Sequence, residues 1–264
     1  MLITSRDNSC IRHYRHLLND GKFRRETGRF VVEGARLCED AARSHIVIEA
    51  AFYTQAALSR YPTQLSVVKD SAQVIYEITD ALAAYISDTK APQGLFCICI
   101  IPDQEQPNLS KDGRYAALER IQDPSNLGTM IRTAEALGLN GLLLSDGCCD
   151  PYNPKVLRGS MGGVFRLPLY FCGDFCDTLS RLSNNGFVTV ACVVDETVAP
   201  VQSLSMGRGT IVVIGNEGNG LKPETVRACS ICTTIPMLGR AESLNASMAA
   251  GIVFWEMMRG EHRD

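Results

Sequence analysis

The chain has 264 residues, of which 45% are hydrophobic and 21% charged, and its formal net charge is −3. This length suits one large domain or two smaller ones with packed cores, and the composition excludes long disordered stretches. No apolar run reaches the roughly 20 residues that span a bilayer, and the polar N-terminus lacks the apolar segment of a signal peptide. We therefore expect a cytoplasmic protein without a membrane partner.

Eleven cysteines are present, an odd number, and several of them stand inside apolar runs such as residues 96–100. Without an export signal, reduced and buried thiols are the better interpretation. Cys229-Ser-Ile-Cys232 has the spacing of a redox pair or of half a zinc site. A second such pair with nearby histidines is missing, so we predict no metal ion.

Residues 1–29 carry seven Lys or Arg against three Asp or Glu, which gives this segment a local net charge of +4. The acidic balance of the whole chain argues weakly against broad nucleic-acid binding, but a local basic surface is what phosphate contact requires. A solvated helix face explains the same residues equally well. If the cluster binds RNA, its candidate contacts are Arg12, Arg24, Arg25 and Arg29.

The first hundred residues predict a small α/β unit. The predicted helices cover residues 8–20, 35–42 and 71–82, and the predicted strands cover 28–34, 46–52, 67–68 and 95–101. Residues 102–113 are polar, with two prolines and a glycine, and predict a linker. The predicted domains are therefore residues 1–101 and 114–264.

After the linker, strands and helices alternate. Strands are predicted at residues 115–121, 141–145, 167–171, 187–193, 210–215 and 232–235, and helices at 127–137, 155–160, 175–183 and 245–258. Such alternation is typical of a parallel sheet with both faces covered by helices.

Three loops follow predicted strands of this sheet: residues 122–133, 215–221 and 235–245. Because the carboxyl ends of parallel strands meet at one edge, the loops predict a ligand site there. The glycine-rich loop matches neither the dinucleotide fingerprint nor the phosphate loop, which disfavours a nucleoside triphosphate. Glu217 at its tip would repel a phosphate and suits a cationic or hydroxyl-bearing ligand.

Each loop also has a plainer interpretation. The glycine-rich loop is explained by a tight turn. Ser125 or Asn126 can cap the helix that follows the first loop, and Ser243 or Asn245 can cap the last helix. Arg132 can form a surface salt bridge, for example with a nearby glutamate, Glu135.

Taken together, the three loops resemble the SpoU (TrmH-like) branch of the SPOUT RNA methyltransferases. Residues 122–134, 214–221 and 235–247 resemble the first, second and third motifs of the family, in its order and spacing. Residues 28–37 and 91–94 resemble the substrate-binding domain that is often fused to such enzymes.

The resemblance implies a fold and a reaction. The fold would be α/β, with a C-terminal parallel-sheet SPOUT domain tied in a trefoil knot and a small N-terminal α/β RNA-binding domain, assembled as a homodimer. The cofactor would be S-adenosylmethionine, and its methyl group would pass to a ribose 2′-hydroxyl of structured RNA. Family analogy favours ribosomal RNA, with transfer RNA as the alternative. A non-catalytic RNA-binding protein with the same fold is a further alternative.

The resemblance also implies site residues by motif position. The implied catalytic set is Asn126, Arg132, Glu217, Ser243 and Asn245, and the implied cofactor contacts are Gly215, Asn216, Gly220, Ile235, Met237 and Leu244. The sulfonium already activates the methyl group, so the enzyme has to align the reacting atoms and remove the hydroxyl proton. The family proposal makes Arg132 the base; alternatively, a protonated Arg132 clamps the adjoining phosphate and stabilises the alkoxide. Arg158 and Arg166 are expected to flank the cleft as RNA contacts.

Overall fold

The structure, a computed structural model, describes residues 1–103 and 109–259. Within these residues the chain forms two compact units. The first unit contains residues 1–103 and also residues 152–165, which the sequence placed in the C-terminal domain. The second unit contains the rest of the described chain. Residues 104–108 of the predicted linker lie outside the described residues.

The first unit is built on a mixed five-stranded sheet in the order β1-β4-β3-β5-β2. In this sheet β5 runs antiparallel to β2 and β3, and β4 runs parallel to β1 and β3. Its elements are β1 (Leu2–Ile3), α1 (Ser9–Asn19), α2 (Gly21–Thr27), β2 (Arg29–Glu33), α3 (Ala35–Arg43), β3 (Ile48–Tyr53), α4 (Gln55–Arg60), α5 (Pro62–Ser71), β4 (Ala72–Ile78), α6 (Asp80–Ile86), β5 (Leu95–Ile100) and, from the later segment, α8 (Pro154–Ser160).

An aromatic cluster lies at the centre of this unit. Tyr14 on α1 meets Phe52 and Phe96 edge-on, with ring centroids 6.0 and 5.8 Å apart, and all three side chains are fully buried. Ile11 and Leu17 occupy the same face of α1 as Tyr14, at the helical spacing that predicted this helix. Burial of this one face therefore fixes α1 on the sheet.

The sequence misassigned one stretch of the first unit. Residues 67–68 were predicted as a strand but belong to α5, which begins at Pro62. The predicted helix over residues 71–82 is instead the strand β4 followed by α6. Alternation of β-branched and aromatic residues favours a strand here, and the hydroxyl of Thr79 caps α6 by accepting from the Leu82 N–H at 3.3 Å.

The second unit contains an all-parallel six-stranded sheet in the order β11-β9-β10-β6-β7-β8. Its elements are β6 (Tyr115–Leu118), α7 (Pro124–Leu137), β7 (Gly141–Ser145), β8 (Leu169–Cys172), α9 (Phe175–Asn184), β9 (Val188–Cys192), β10 (Thr210–Ile214), α10 (Pro223–Ala228), β11 (Ile231–Thr233) and α11 (Ala246–Met258). The strands and helices predicted after the linker are present in this order, except that the helix predicted at residues 155–160 is α8 of the first unit. Helix α10 was not predicted.

The strands of this sheet are apolar because both of its faces are covered. Every residue of β6, β7 and β10 is buried, as expected for central strands of a parallel sheet. This confirms the predicted α/β class with a parallel C-terminal sheet. Among the described residues, no helix combines the length and the apolar character that a membrane crossing demands.

Candidate active site

Two of the three predicted loops begin side by side. β6 and β10 are parallel neighbours, with Leu118 paired to Ile214 at their carboxyl ends. The first loop leaves β6 and leads into α7, and the second loop leaves β10. The third loop follows β11, which lies beyond β9 in the same parallel sheet. All three loops therefore start from the same edge of the sheet.

The second loop, residues 215–221, closes on itself and is called the glycine loop below. Asn216 and Gly220 exchange two backbone hydrogen bonds, of 3.0 and 2.9 Å. The side-chain oxygen of Asn216 accepts from the N–H of Gly218 at 3.0 Å. A Cβ added to Gly215 would overlap the backbone of Gly220, which itself has a φ of +65°. The turn therefore requires glycine at position 215.

The carboxylate of Glu217 joins the glycine loop to the first loop. It accepts hydrogen bonds from the Asn126 side-chain amide at 3.1 Å and from the backbone N–H groups of Asp123 and Gln122 at 3.0 and 3.2 Å. Glu217 therefore holds two loops together, whereas the sequence suggested a carboxylate that faces a ligand.

Asn126 and Asn245 continue this connection to the last helix. The side-chain amide of Asn245 donates to the side-chain oxygen of Asn126 at 3.0 Å. The oxygen of Asn245 caps α11, accepting from the N–H of Ser247 at 2.9 Å and of Met248 at 3.3 Å. Of the two predicted caps of this helix, Asn245 is therefore the one that forms.

Asn126 is available for this role because another residue caps α7. The predicted caps were Ser125 and Asn126, but the carboxylate of Asp123 accepts from the Ser125 N–H at 2.6 Å. Asn126, which is 8% exposed, thus keeps its side chain for the contacts with Glu217 and Asn245. Hydrogen bonds from Glu217 through Asn126 to Asn245 connect all three motifs.

The surroundings of Glu217 keep it ionised. Partial burial raises the pKa of this carboxyl, but the hydrogen bonds donated by Asn126 and by the backbone of Asp123 and Gln122 outweigh burial. The pKa of Glu217 is consequently lower than its ordinary value of 4.5. The hydrogen-bonded connection of Glu217, Asn126 and Asn245 is called the junction below. At neutral pH it contains a charged acceptor, and hydrogen bonds to a charged acceptor are the stronger kind.

The third loop is open to a ligand through its backbone. Within the described residues, no backbone hydrogen bond involves residues 235–244. Ile235 and Met237 are half-buried and Leu244 is 38% exposed. This loop therefore offers unpaired donors and acceptors beside apolar side chains. Because buried backbone groups are normally paired, a ligand that covered the loop would have to supply their partners.

Arg132 and Ser243 do not take part in the hydrogen bonds of the junction. Both side chains are exposed, Arg132 on α7 and Ser243 in the third loop. The salt bridge suggested between Arg132 and Glu135 does not form, because Glu135 accepts from Arg166 at 2.7 Å instead. Arg132 thus presents a solvated guanidinium from the helix that carries Asn126.

Two residues at the end of β6 support the site and were missed in the sequence. Glu119, 3% exposed, accepts from the N–H of Lys222 at 2.9 Å and from the hydroxyl of Thr225 at 2.7 Å. Arg120 has a left-handed backbone, with a φ of +53°, and its carbonyl accepts from the Asn216 side chain at 2.8 Å. Charged residues at the end of an apolar strand were the only signal in the sequence.

The N-terminal arginines differ in their surroundings. Arg12 and Arg25 are exposed on α1 and α2, as a phosphate contact requires. Arg24 is 3% exposed, and its guanidinium donates to the carbonyls of Leu17 and Leu18 at 2.6 and 3.3 Å. The prediction of Arg24 as an RNA contact is therefore corrected, because this side chain holds the end of α1 inside the unit.

The remaining predicted RNA contacts are already paired with acidic groups. Arg29 forms an ion pair with Glu49, and Arg158 pairs with Asp88 at 2.7 Å. Arg166 pairs with Glu135, as described above. A phosphate would have to compete with these carboxylates, so Arg12 and Arg25 are the more accessible candidates.

The cysteine pair of the sequence has no ligand-like surroundings in the structure. The Cys229 thiol donates to the Thr225 carbonyl at 3.2 Å, and burial is the main cause that raises its pKa to about 12. Within residues 1–103 and 109–259, no group of three or more His, Cys, Asp or Glu side chains is arranged to hold a metal ion.

Comparison with known proteins identifies the family. Residues 113–255, more than half of the chain, match the model of the SpoU rRNA Methylase family. The chain belongs to this family. Residues 8–97 also match the MRM3-like substrate binding domain, so both units carry part of the resemblance.

Relatives of this SpoU family member match it over almost its whole length. The 23S rRNA (guanosine(2553)-2′-O)-methyltransferase RlmP of Bacillus subtilis is 28% identical, over 97% of this chain and 98% of its own. The 23S rRNA (uridine(2479)-2′-O)-methyltransferase of Streptomyces viridochromogenes is 29% identical, over 97% of this chain and 91% of its own. The AdoMet-bound rRNA methyltransferase of Sinorhizobium meliloti superposes with a TM-score of 0.86 at 27% identity, covering 98% and 97% of the two chains.

Gly215→Ala is expected to destabilise the second unit by about 1–3 kcal/mol, because the new methyl group meets backbone that cannot move aside. Gly218→Ala is the matched control, since its Cβ would lie no closer than 3.7 Å to any atom, and it should change the stability by under about 0.5 kcal/mol. Urea unfolding followed by the fluorescence of Trp255, the single tryptophan, measures both. Equal effects of the two variants would contradict the closed turn.

Glu217→Gln is expected to lower the melting temperature at neutral pH and to lose this effect in acid. Since the folded-state pKa lies below 4.5, the carboxylate adds stability above that pH, and the stability disappears as pH falls through the folded-state value. Thermal unfolding between about pH 7 and about pH 3 measures the difference between variant and wild type. Glu224→Gln, at an exposed site on α10, is the control. A difference that stays constant down to the lowest pH would refute the role of the charge.

Proposed function

We propose that this SpoU family member transfers a methyl group from S-adenosylmethionine to a ribose 2′-hydroxyl of ribosomal RNA. The observation that carries the proposal is the hydrogen-bonded junction of Glu217, Asn126 and Asn245, which links all three motif loops at one edge of the sheet. The full-length similarity to relatives that are named for this reaction supports it.

The third loop and the glycine loop suit the cofactor. The unpaired backbone groups of residues 235–244 offer donors and acceptors to an adenine and its ribose, and the glycines allow the backbone to approach closely. The residues assigned to cofactor binding are Gly215, Asn216, Gly220, Ile235, Met237 and Leu244. When bound, the cofactor supplies a methyl group that its sulfonium has already activated.

The asparagines are suited to hold the reacting ribose. Each amide nitrogen carries two hydrogens, and Asn126 and Asn245 each use one of them within the junction. The second N–H of each can hold a ribose oxygen, and a donor aimed at an oxygen that gains negative charge lowers the barrier. Ser243, exposed in the third loop, adds a hydroxyl beside them.

For Arg132 we infer the clamp rather than the base. Its guanidinium is exposed, and arginine serves in proteins as a permanent cation with a planar set of donors. A cation next to the 2′-oxygen can bind the adjoining phosphate and stabilise the alkoxide as the proton leaves. The proton of the 2′-hydroxyl would then pass to solvent, while Arg132 stabilises the negative charge that develops on the 2′-oxygen.

The RNA is assigned to both predicted domains, residues 1–101 for recognition and 114–264 for chemistry. Among the arginines predicted to contact RNA, Arg12 and Arg25 are the accessible ones, and Arg29, Arg158 and Arg166 would contribute only by exchanging their carboxylate partners. All eleven cysteines are free thiols, which suits a reducing compartment such as the cytoplasm.

A homodimer is part of the proposal, and α11 supplies its surface. Met248, Ile252 and Trp255 form one stripe of this helix and are 61%, 36% and 51% exposed. A helix that is apolar on all sides is normally covered on all sides, so the stripe calls for a partner. We assign this stripe to a second copy of the chain, in keeping with the family resemblance. The trefoil knot that the resemblance implies is also part of the proposal.

Arg132→Ala is expected to reduce methyl transfer to ribosomal RNA by about 10²–10³-fold while the affinity for S-adenosylmethionine stays within a few-fold. Labelled cofactor and in vitro transcribed 23S rRNA measure the transfer, and nuclease digestion locates the label. Arg132→Lys should keep part of the activity without a shifted pH profile, and Arg181→Ala, an exposed arginine on α9, is the control. Label on a base or only on transfer RNA would overturn the proposal, and a shifted profile would favour the base.

Trp255→Glu is expected to convert the dimer into a monomer, because a carboxylate cannot be buried unpaired in an apolar interface. Size-exclusion chromatography with light scattering measures the mass, and circular dichroism verifies the fold. Val194→Glu, at a site that is 72% exposed and outside α11, should remain a dimer. A dimeric Trp255→Glu variant, or a monomeric wild type, would show that α11 is not the interface.

A further inference from the structure

The first unit contains a cavity of about 370 Å³ that the proposed reaction does not use. This volume falls in the range of small-molecule sites, roughly 300–1,000 Å³. The two stretches that resemble the substrate-binding domain meet in its wall, where the Gln93 side chain accepts from the Ala35 N–H at 2.7 Å. The two stretches that resemble the substrate-binding domain, which have no role in the proposed reaction, therefore line this cavity.

One wall of the cavity combines N–H donors with a guanidinium. It is formed by the beginning of α3, where Gly34 has a φ of +104° and has no side chain to cap the helix, so that in the described part of the chain only the N–H of Ala35 among the first N–H groups is taken, by Gln93. The backbone N–H groups of Arg36 and Leu37 make no hydrogen bond within the described residues. Such N–H groups with the helix dipole and the exposed guanidinium of Arg36 form a site suited to a phosphate.

The wall also contains two carboxylates, those of Glu33 and Asp40, and a second guanidinium, that of Arg158. One oxygen of Glu33 accepts from the hydroxyls of Ser87 and Thr89 at 2.6 and 2.7 Å, and the other accepts from the Asp88 N–H at 2.9 Å. Asp88 in turn holds Arg158. Glu33 therefore fixes the turn over residues 87–89, with both of its oxygens engaged by the protein.

Another part of the wall is apolar. It includes Leu37, Ala91 and Met161. Met161 follows the last residue of α8 and has a left-handed backbone, with a φ of +50°, which residues other than glycine rarely adopt. Its side chain is 40% exposed. Such backbone strain is concentrated at functional sites, and a thioether packs well against aromatic rings.

A buried hydroxyl borders the same region. Tyr14 is fully buried, and its hydroxyl has no hydrogen-bond partner among the described residues. It lines a second cavity of about 10 Å³, which shares Glu33, Leu37 and Arg158 with the larger one. Buried hydroxyls are normally paired, and a cavity of this size has room for one water at most, so this hydroxyl can reach a molecule in the larger cavity only through a water.

We propose that the larger cavity receives one unstacked nucleotide of the RNA substrate. Its phosphate would lie at Arg36 and the beginning of α3, and its base would pack against Leu37, Ala91 and Met161. Sequence-specific proteins read RNA mainly through unstacked bases, which they pack against side chains while cationic groups hold the backbone phosphates. The inference rests on the proposed function, because it assigns the substrate contact of that reaction to the first unit.

The test compares two cavity variants with a matched control in the full-length protein. Ala91→Trp fills the cavity from an exposed position, and Arg36→Ala removes the guanidinium. Arg43→Ala removes the same charge from the same helix outside the cavity. The probe is in vitro transcribed 23S rRNA, measured by filter binding and by the KM and kcat of methyl transfer. Both cavity variants should raise the Kd for RNA and the KM by about tenfold or more, while their kcat and cofactor affinity stay within about twofold of wild type. For the Arg43→Ala variant, all four quantities should stay within about twofold of wild type.

The outcomes separate this inference from the proposed function. If wild type neither binds the cofactor nor methylates the RNA, the proposed function fails. If it does both and the cavity variants match Arg43→Ala, the nucleotide site is refuted. Competition with 5′-GMP and 5′-AMP distinguishes the source of the nucleotide. Free nucleotides that bind wild type but not Ala91→Trp, while RNA binding is unchanged, would assign the cavity to a free nucleotide and overturn the RNA contact.

Discussion

The hydrogen bonds to the carboxylate of Glu217 determine whether the three motif loops form one site. A parallel sheet brings the loops to a common edge, but adjacency alone leaves each loop free to take its own conformation. Glu217 accepts from the backbone and the side chain of the first loop, and Asn126 passes the connection to Asn245 at the start of α11. One charged group therefore fixes the relative positions of the loops that carry the motifs.

The site combines a fixed part with an open part. The fixed part consists of the glycine loop, the start of α7 and the start of α11, which hydrogen bonds and helix caps hold together. The open part is the third loop, whose backbone groups between residues 235 and 244 are unpaired within the described chain. This division suits an enzyme that holds catalytic groups steady and binds its cofactor through main-chain contacts.

The sequence was informative where an element and its chemistry depend on local residues. Apolar runs predicted the strands of the second unit, and the small and polar residues after them predicted the edge where the site lies. The helix predicted at residues 71–82 was wrong because the apolar residues there fit both a helical and a strand pattern. Pairing with β3 decides in favour of a strand.

Contacts between distant residues lay beyond the sequence. No spacing indicates that Glu217 accepts from residues more than 90 positions earlier, or that Asp123 caps α7 and releases Asn126. Arg24 reads as one more member of a basic cluster, yet its guanidinium is buried against the end of α1. The cavity of the first unit depends on bringing α3, the turn at residues 87–89 and α8 together, which only the folded chain does.

The amides of the junction have only one permitted orientation. The nitrogen of Asn126 faces a carboxylate, its oxygen faces the nitrogen of Asn245, and the oxygen of Asn245 faces the N–H groups of α11. Rotating either amide by half a turn would set like groups against each other at hydrogen-bond distance. Both side chains are thus preorganised before any ligand arrives, and a ligand that bound to these amides would find their orientation already fixed, with little further cost in side-chain entropy.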